Sequence, residues 1–561
     1  MKSGSAIKKL SPAEILQKAV KGTKQALPAT IIITGIFFLN YFVFGPENAS
    51  IGPVTALLFN KYKTRSGRYE CLIMDFLICE VLAAAAFAAN LNLLLNIIVN
   101  AAAFFWIACV YINDFSPANY FPIGIAYIFF QISPAETFSA LANRAAALAV
   151  SFAILMLCLI AYTLAFSDYP AGKRMVTAGF ENCRRQLELP EEDQAGRAAL
   201  QTELHDICLQ CCREAWDFNR STIRPKNRSN FYCRYVSFFI IFNYLMDSSG
   251  SGPDHEQARL LYEKYREDFR TLKPRAIYER LHFRLDPLNL QDFRVRFALR
   301  EAIVLVPCIA FARLSGLENI YWMVLCAFFL ITPYSDLAGE KVKRRVIGTI
   351  IGVLLCQIAF PLLPTFGGRA VLMTVANFFS FVGGGYDLAV ICITCAVTAL
   401  SEIDGAVSVM LFQRLIYNLL GALIAVLANT YLFPIRTVNN LDYSSEYAER
   451  LQDEIETLAR EIRHQDHPEV YFAHSRSDFT ADRNGAGTAA GQEELSVLLQ
   501  DAYLRKEIDQ RLVRLFMLQA RMEELDATLP DGDRHPDILN RHRRRMLEIA
   551  EVFAGKMLCE D

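Results

Sequence analysis

Apolar positions gather in two long blocks, 26–166 and 298–434, and each block is followed by sequence of ordinary polar character. Within the first block the apolar runs fall at 26–44, 51–59, 69–89, 91–112, 120–132 and 141–166. Within the second they fall at 298–313, 320–333, 346–363, 370–382, 387–401 and 411–433. A straight helix crosses a bilayer in about 20 apolar residues. The runs at 51–59, with Pro53 inside, and at 120–132, with Pro122 and Gly124, are short of that and predict broken or interior helices. The segments between the blocks have helical rather than membrane character. Residues 203–219 and 255–272 follow the 3.6-residue period. In 437–561, Leu451, Ile455, Leu458 and Ile462 form one stripe of an amphipathic helix. A Gly/Ala-rich linker at 484–491 and helices at 493–527 and 536–558 follow. The pattern predicts an all-α polytopic membrane protein with two parallel repeats of six transmembrane helices. Each repeat is followed by a helical domain, at 167–297 and 435–561, and residues 1–25 form a basic amphipathic lead-in.

The very apolar stretch 231–246 is shorter than a span and follows the basic segment 224–228. It is expected as the core helix of a soluble domain, with a re-entrant or interfacial helix as the open alternative. Composition agrees with the division into blocks. Of 561 residues 53% are hydrophobic and the mean hydropathy is +0.22, above the usual range for soluble chains. The formal net charge of −2 offers no basis for nucleic-acid binding. The 15 cysteines are scattered, many inside apolar runs, and suggest thiols rather than a disulfide framework. Basic loops after the second run (Lys61, Lys63, Arg65, Arg68) and around Lys341, Lys343, Arg344 and Arg345 place those loops, and with them both termini, in the cytoplasm.

The two blocks can be laid over each other. Gly45-Pro46-Glu47-Asn48 matches Gly316-Leu317-Glu318-Asn319, and nearly the same offset brings Ala26-Leu27 onto Ala298-Leu299, Ala56 onto Ala327 and Asn143-Arg144 onto Gln413-Arg414. A small residue, Ser151 or Gly421, stands seven positions past each of those arginines. Agreement in order and spacing predicts a duplication. An even number of spans per copy makes the copies parallel, related by an axis along the membrane normal.

Ionisable groups at bilayer depth cost about 2.5–3.5 kcal/mol each on insertion scales and mark cavities or partners. Asp75 and Glu80, in the third run, are candidates for proton coupling; a structural ion pair or simple hydration is the competing account. Arg144 and Arg414, at equivalent places, can clamp a carboxylate through two parallel hydrogen bonds, or pair with Glu136 and Glu402. Tyr321 and Trp322 can stack an aromatic substrate or belong to an interfacial belt. Pro53, Pro122, Pro333, Arg345, Gly348, Thr349 and Asp387, with the Gly383–Asp387 junction, mark the pathway and its helix packing, because interrupted helices free backbone groups for a ligand. His205, Cys208 and Cys212 share one helical face with Cys211 alongside, but structural zinc draws its ligands from two separated elements. No metal or other cofactor is therefore expected. The basic cluster Arg541–Arg545 reads as a solvated or headgroup-facing surface. No phosphate-binding loop, nucleophile elbow or zinc-protease helix occurs, so neither an ATP-driven pump nor an enzyme is expected.

Tyr321-Trp322 with Pro333 downstream, then Arg345-x-x-Gly348-Thr349-x-x-Gly352, then Arg414 with Gly421, resemble the fusaric acid resistance protein family, which includes inner-membrane subunits of p-hydroxybenzoic acid efflux pumps. The resemblance extends to the whole organisation of spans and helical domains. The first block departs from it, with Ser50-Ile51 at the place of Tyr-Trp and acids in place of the Gly-Thr-x-x-Gly pattern. The resemblance implies a bacterial inner-membrane secondary transporter that exports small organic anions, aromatic carboxylic acids in particular, driven by the proton gradient. It also implies a periplasmic membrane-fusion subunit as partner; a homo-oligomer is left open. The rival expectations are a passive organic-anion channel like the plant malate channels and a membrane-anchored scaffold or sensor.

Overall fold

The computed structural model describes residues 12–63, 69–112, 118–166, 173–190, 193–215, 224–248, 253–271, 281–282, 290, 293–333, 338–382, 385–399, 407–434, 437–462, 471, 489–528 and 534–558. The loop residues 64–68, the turn at 113–117, Gly383, Gly384, Glu402 and linker residues 484–488 lie outside them. Among the described residues nineteen α-helices follow in chain order. They are α1 (Pro12–Leu39), α2 (Ile51–Tyr62), α3 (Tyr69–Ala89), α4 (Leu93–Tyr111), α5 (Phe121–Ile132), α6 (Phe138–Phe166), α7 (Lys173–Glu188), α8 (Gln194–Ala215), α9 (Lys226–Ser248), α10 (Pro253–Thr271), α11 (Phe293–Ser315), α12 (Tyr321–Leu330), α13 (Ala338–Leu362), α14 (Phe366–Phe381), α15 (Tyr386–Ala399), α16 (Val407–Tyr431), α17 (Thr437–Glu461), α18 (Ala489–Thr528) and α19 (Pro536–Leu558). The described strands are one antiparallel pair of two residues each, Arg224–Pro225 with Leu281–His282. The chain divides into two compact units: 1–112, 118–169 and 288–435 form one, and 113–117, 170–287 and 436–561 the other.

The first unit contains α1–α6 and α11–α16. Six of its helices are long and apolar enough to cross a membrane, at Ala26–Phe44, Cys71–Ala89, Leu93–Tyr111, Phe138–Leu164, Ala338–Leu362 and Val409–Tyr431. The sequence pattern predicts twelve spans; the twelve helices are present, but α2, α5, α12 and α15 have only 10 to 14 residues. At 1.5 Å per residue such helices cover about half to two thirds of the roughly 30 Å apolar thickness of a bilayer. Position explains the shortness. Nine of the twelve α5 residues are buried, as are seven of the ten in α12, while long helices turn Leu94, Leu157, Leu164, Ile358, Leu362 and Leu423 outward. An apolar exterior around an apolar interior suits lipid as solvent.

Pro53 does not break α2. It stands in the first turn, where its missing N–H leaves no helical bond unmade. The turn after the first helix of each block begins with a glycine in the left-handed region, Gly45 (φ 95°) and Gly316 (φ 60°), where a side chain would be strained. Helix pairs pack in corresponding ways in the two blocks. α2 meets α6 as α12 meets α16, and α3 meets α5 and α6 as α13 meets α15 and α16. Across the blocks α1 packs on α14 and α4 on α11.

The second unit is built around α9, against which α7, α8, α10, α18 and α19 pack, with α17 laid on α18 and α19. From Phe231 to Leu245 all but two of its residues are buried, and Phe180, Phe238, Tyr235, Tyr265 and Met546 share its core. A helix apolar on every side needs neighbours on every side, so the stretch 231–246 is the core helix of this unit. Arg234, buried on α9, pairs with Asp268 at 2.7 Å and lies over the rings of Tyr265 and Tyr471. Arg505 and Asp509 form a second buried pair at 3.1 Å, and Asp509 also accepts from the Ser237 hydroxyl.

Candidate functional site

Close packing in the second membrane block creates the site. A Cβ on Gly421 of α16 would fall on the carbonyl oxygen of Met323 in α12, and one on Gly352 of α13 would come within 2.8 Å of Thr394 in α15. Gly348 meets Val390 and the Asp387 backbone in the same way. Small residues let backbones approach where lipid supplies no hydrophobic drive between helices. Gly348 and Thr349 thus have the packing place expected of them, and both are buried. Asp387 is exposed at the start of α15, 3.9 Å from Arg344.

Two buried guanidinium groups lie on the helices that these contacts join. Arg414 of α16 is 5% exposed, with its guanidinium carbon over the Trp322 ring, 3.8 Å from the ring centroid. Arg345 of α13 is 8% exposed and lies over the Phe329 ring at 4.3 Å. Each is within electrostatic range of the other. The thiols of Cys326, Cys356 and Cys395 are within electrostatic range of Arg414, and the Tyr386 hydroxyl adjoins Arg345. Neither arginine has a carboxylate partner among the described residues. Nε and Nη1 of Arg414 and Nε of Arg345 are buried without a hydrogen bond. Two like charges held near each other with unmet donors carry a cost that an anion between them would relieve. Arg414 occupies one face of the Trp322 ring. Tyr321, half-buried beside it, faces the charge of Arg313 rather than this pair.

The equivalent features of the first block are differently employed. Arg144 is buried, but its Nε donates to Asn48 Oδ1 at 3.0 Å and its Nη2 to the Ser133 carbonyl at 2.5 Å, so it ties loops together. Asp75 is fully buried and accepts from Lys61 Nζ at 3.2 Å, Tyr62 at 2.8 Å and Tyr111 at 2.8 Å. It is a compensated carboxylate in a structural ion pair, buried rather than hydrated. Glu80 is half-buried on the same helix, with no ion-pair partner among the described residues. Asp75 and Glu80 are not brought together with the arginine pair by any described contact.

Sequence reasoning passed over Arg300 and Glu301, at the start of an apolar run. Arg300 is fully buried; its Nε donates to Leu432 O, Nη1 to Thr332 O and Asn429 Oδ1, and Nη2 to Phe433 O. Glu301 is 1% exposed. The signal was present, since two adjacent charges followed by eleven uncharged residues are as unusual as Asp75. In the second unit Cys208, Cys211 and Cys212 belong to the core, His205 stands edge-on to Phe516, and no group of three metal-ligating side chains occurs among the described residues. Arg541, Arg543 and Arg545 pair with Glu449, Glu523, and Asp453 with Glu456 respectively.

Six long apolar helices with lipid-like exteriors define a membrane-embedded, all-helical protein. Within that class, residues 307–428 match the family model described as fusaric acid resistance protein-like. That stretch holds Arg345, Gly348, Gly352, Arg414 and Gly421, and lies wholly in the second block. The chain is 28% identical over 155 residues to inner membrane protein YccS of Escherichia coli K12, covering 27% of this chain and 22% of that protein. It is 31% identical over 158 residues to an uncharacterized protein of Haemophilus influenzae (28% and 22%), and 27% identical over 150 residues to uncharacterized protein ORF2 of Neisseria gonorrhoeae (26% and 36%). The matched stretch thus spans about a fifth of the length of the first two relatives. No solved structure matches the chain.

Proposed function

We propose that the protein is an inner-membrane secondary transporter of small organic anions, aromatic carboxylates in particular, which takes its substrate between Arg345 and Arg414. The observation that carries this reading is the pair of buried, mutually close guanidinium groups with unused donors and no described acid against them. An anion satisfies both at once, and the Phe329 ring with the nearby thiols gives an apolar wall suited to a substrate's body. The family match over 307–428 and the inner-membrane relative support membrane transport. Corresponding helix pairs, the two left-handed glycine turns, and the links of Asn48 and Asn319, which match, to adjacent places on the last helix of each block, Arg144 and Gln413, support two parallel six-helix repeats. In this reading the energy source is the proton gradient, and the helical domains face the cytoplasm. Asp75, held by Lys61 and two tyrosines, suits an anchor better than a proton carrier.

The test is uptake of radiolabelled p-hydroxybenzoate into proteoliposomes with and without a pH gradient. Uphill movement dependent on the gradient supports the reading. Saturable movement that follows only the substrate gradient, with conductance, assigns a channel; no flux for any organic anion leaves a scaffold or sensor.

A further inference from the structure

Glu301 has a property that no other described acid of the membrane unit shares. It is 1% exposed, and neither carboxyl oxygen has a donor among the described residues. Its neighbour Arg300 does not serve it, because that guanidinium is spent on the Leu432, Thr332 and Phe433 carbonyls and on Asn429. Arg313, further along α11, donates to the carbonyls of Ala89 and Asn90. α4, packed along α11, contains no Asp, Glu, Lys, Arg or His; its titratable groups are Cys109 and Tyr111, and Tyr111 is given to Asp75. α12 offers Tyr321 and Cys326, and α16 offers Tyr417, Tyr431 and Arg414, which lies over Trp322. The titratable side chain beside Glu301 is Tyr120, just before α5, packed against Phe297 and Phe328. Among the described residues no cation faces the carboxyl group.

A carboxylate anion in such surroundings is uncompensated, whereas the neutral acid needs no counter-charge. We propose that Glu301 is a proton-binding site of the membrane unit, occupied in the arrangement described here and emptied when the surrounding helices part to admit water. In that cycle an O–H bond forms at a Glu301 carboxyl oxygen with a proton from hydronium on one side of the membrane. The same bond breaks to water on the other side, leaving the carboxylate. Whether the cycle drives substrate rests on the transport reading above; the proton site itself does not.

Two measurements separate the claims. Infrared difference spectra of the full chain in liposomes, recorded across a pH titration, should contain the C=O band of a buried protonated carboxyl group. That band should be missing in Glu301→Gln and displaced in Glu301→Asp, the second variant covering the case in which the first does not insert. An undiminished, undisplaced band in both overturns the proposal. For p-hydroxybenzoate, the ratio of flux with a pH gradient to flux without should fall in Glu301→Gln to about one. A ratio equal to that of the unsubstituted protein removes Glu301 from coupling. If the unsubstituted protein moves no anion, the transport reading falls, and the infrared band still decides the proton site.

Discussion

Arg414 is where the chemistry of one side chain matters most. Its planar group lies over the Trp322 ring and leaves Nε and Nη1 for a ligand, a geometry that an ammonium group cannot reproduce. Arg414→Lys should weaken p-hydroxybenzoate binding tenfold or more, measured by calorimetry on the detergent-solubilised protein, with the melting temperature little changed. Asp75 calls for a stability test. Asp75→Asn removes the carboxylate that Lys61, whose side chain is 8% exposed, meets at 3.2 Å, and loss of one partner of a buried pair costs about 3–5 kcal/mol. The double variant with Lys61→Met should recover much of the lost melting temperature; no recovery would mean that the pair is not the cause. In the second unit, burial holds the His542 imidazole below its ordinary value of 6.5, and its Nε2 lies 2.9 Å from the Ser445 hydroxyl. The folded state then binds fewer protons than the unfolded one. His542 costs nothing above the unfolded value, and its penalty grows as pH falls through 6.5 toward the folded one. Thermal melts of the protein should show a loss of stability on acidification that His542→Gln reduces.

At the scale of elements, the controlling fact is how closely helices approach. Gly421 is set against the Met323 carbonyl, and Gly352 against Thr394. A leucine at 421 must push α16 away from α12, and with it Arg414 from Trp322. Gly421→Leu should therefore abolish anion binding and lower the melting temperature more than Gly35→Leu, whose site has nothing within 4 Å. Equal effects of the two substitutions would show that the close approach is not what organises the site. The short helices follow the same logic: α5 and α12 need not reach both membrane faces because longer helices surround them, so their length was no guide to their importance.

For the whole molecule, the connectivity of the second unit has consequences. Its core helix α9 lies before the second membrane block, while α18 and α19, which cover it, lie after that block. Neither sequence segment alone encloses Phe238, Tyr265 and Met546. A chain stopped after residue 435 should still insert its membrane unit but expose α9, making residues 173–271 far more sensitive to limited proteolysis in membranes. Unchanged resistance would mean that the first segment folds unaided.

Much of this is legible in the chain itself. Runs of apolar residues, the composition that lipid tolerates, determine that the chain is helical and membrane-embedded and where its two polar regions fall. The order and spacing of Gly45 and Gly316, of Arg144 and Arg414, mark the two halves as comparable. The all-round apolar stretch 231–246 leaves its setting open, because a buried core helix and an interfacial one share a composition; its neighbours decide it. Partnership is likewise undecidable along the chain. Asp75 and Glu301 look alike in sequence, yet one meets a lysine and two tyrosines and the other meets no described donor. Arg144 and Arg414 occupy matching places, yet one donates to Asn48 and the Ser133 carbonyl and the other lies over a ring within range of Arg345. Charge at bilayer depth is a local property that sequence records. Whether that charge is compensated depends on groups brought together from distant parts of the chain, which only the packing of the helices decides.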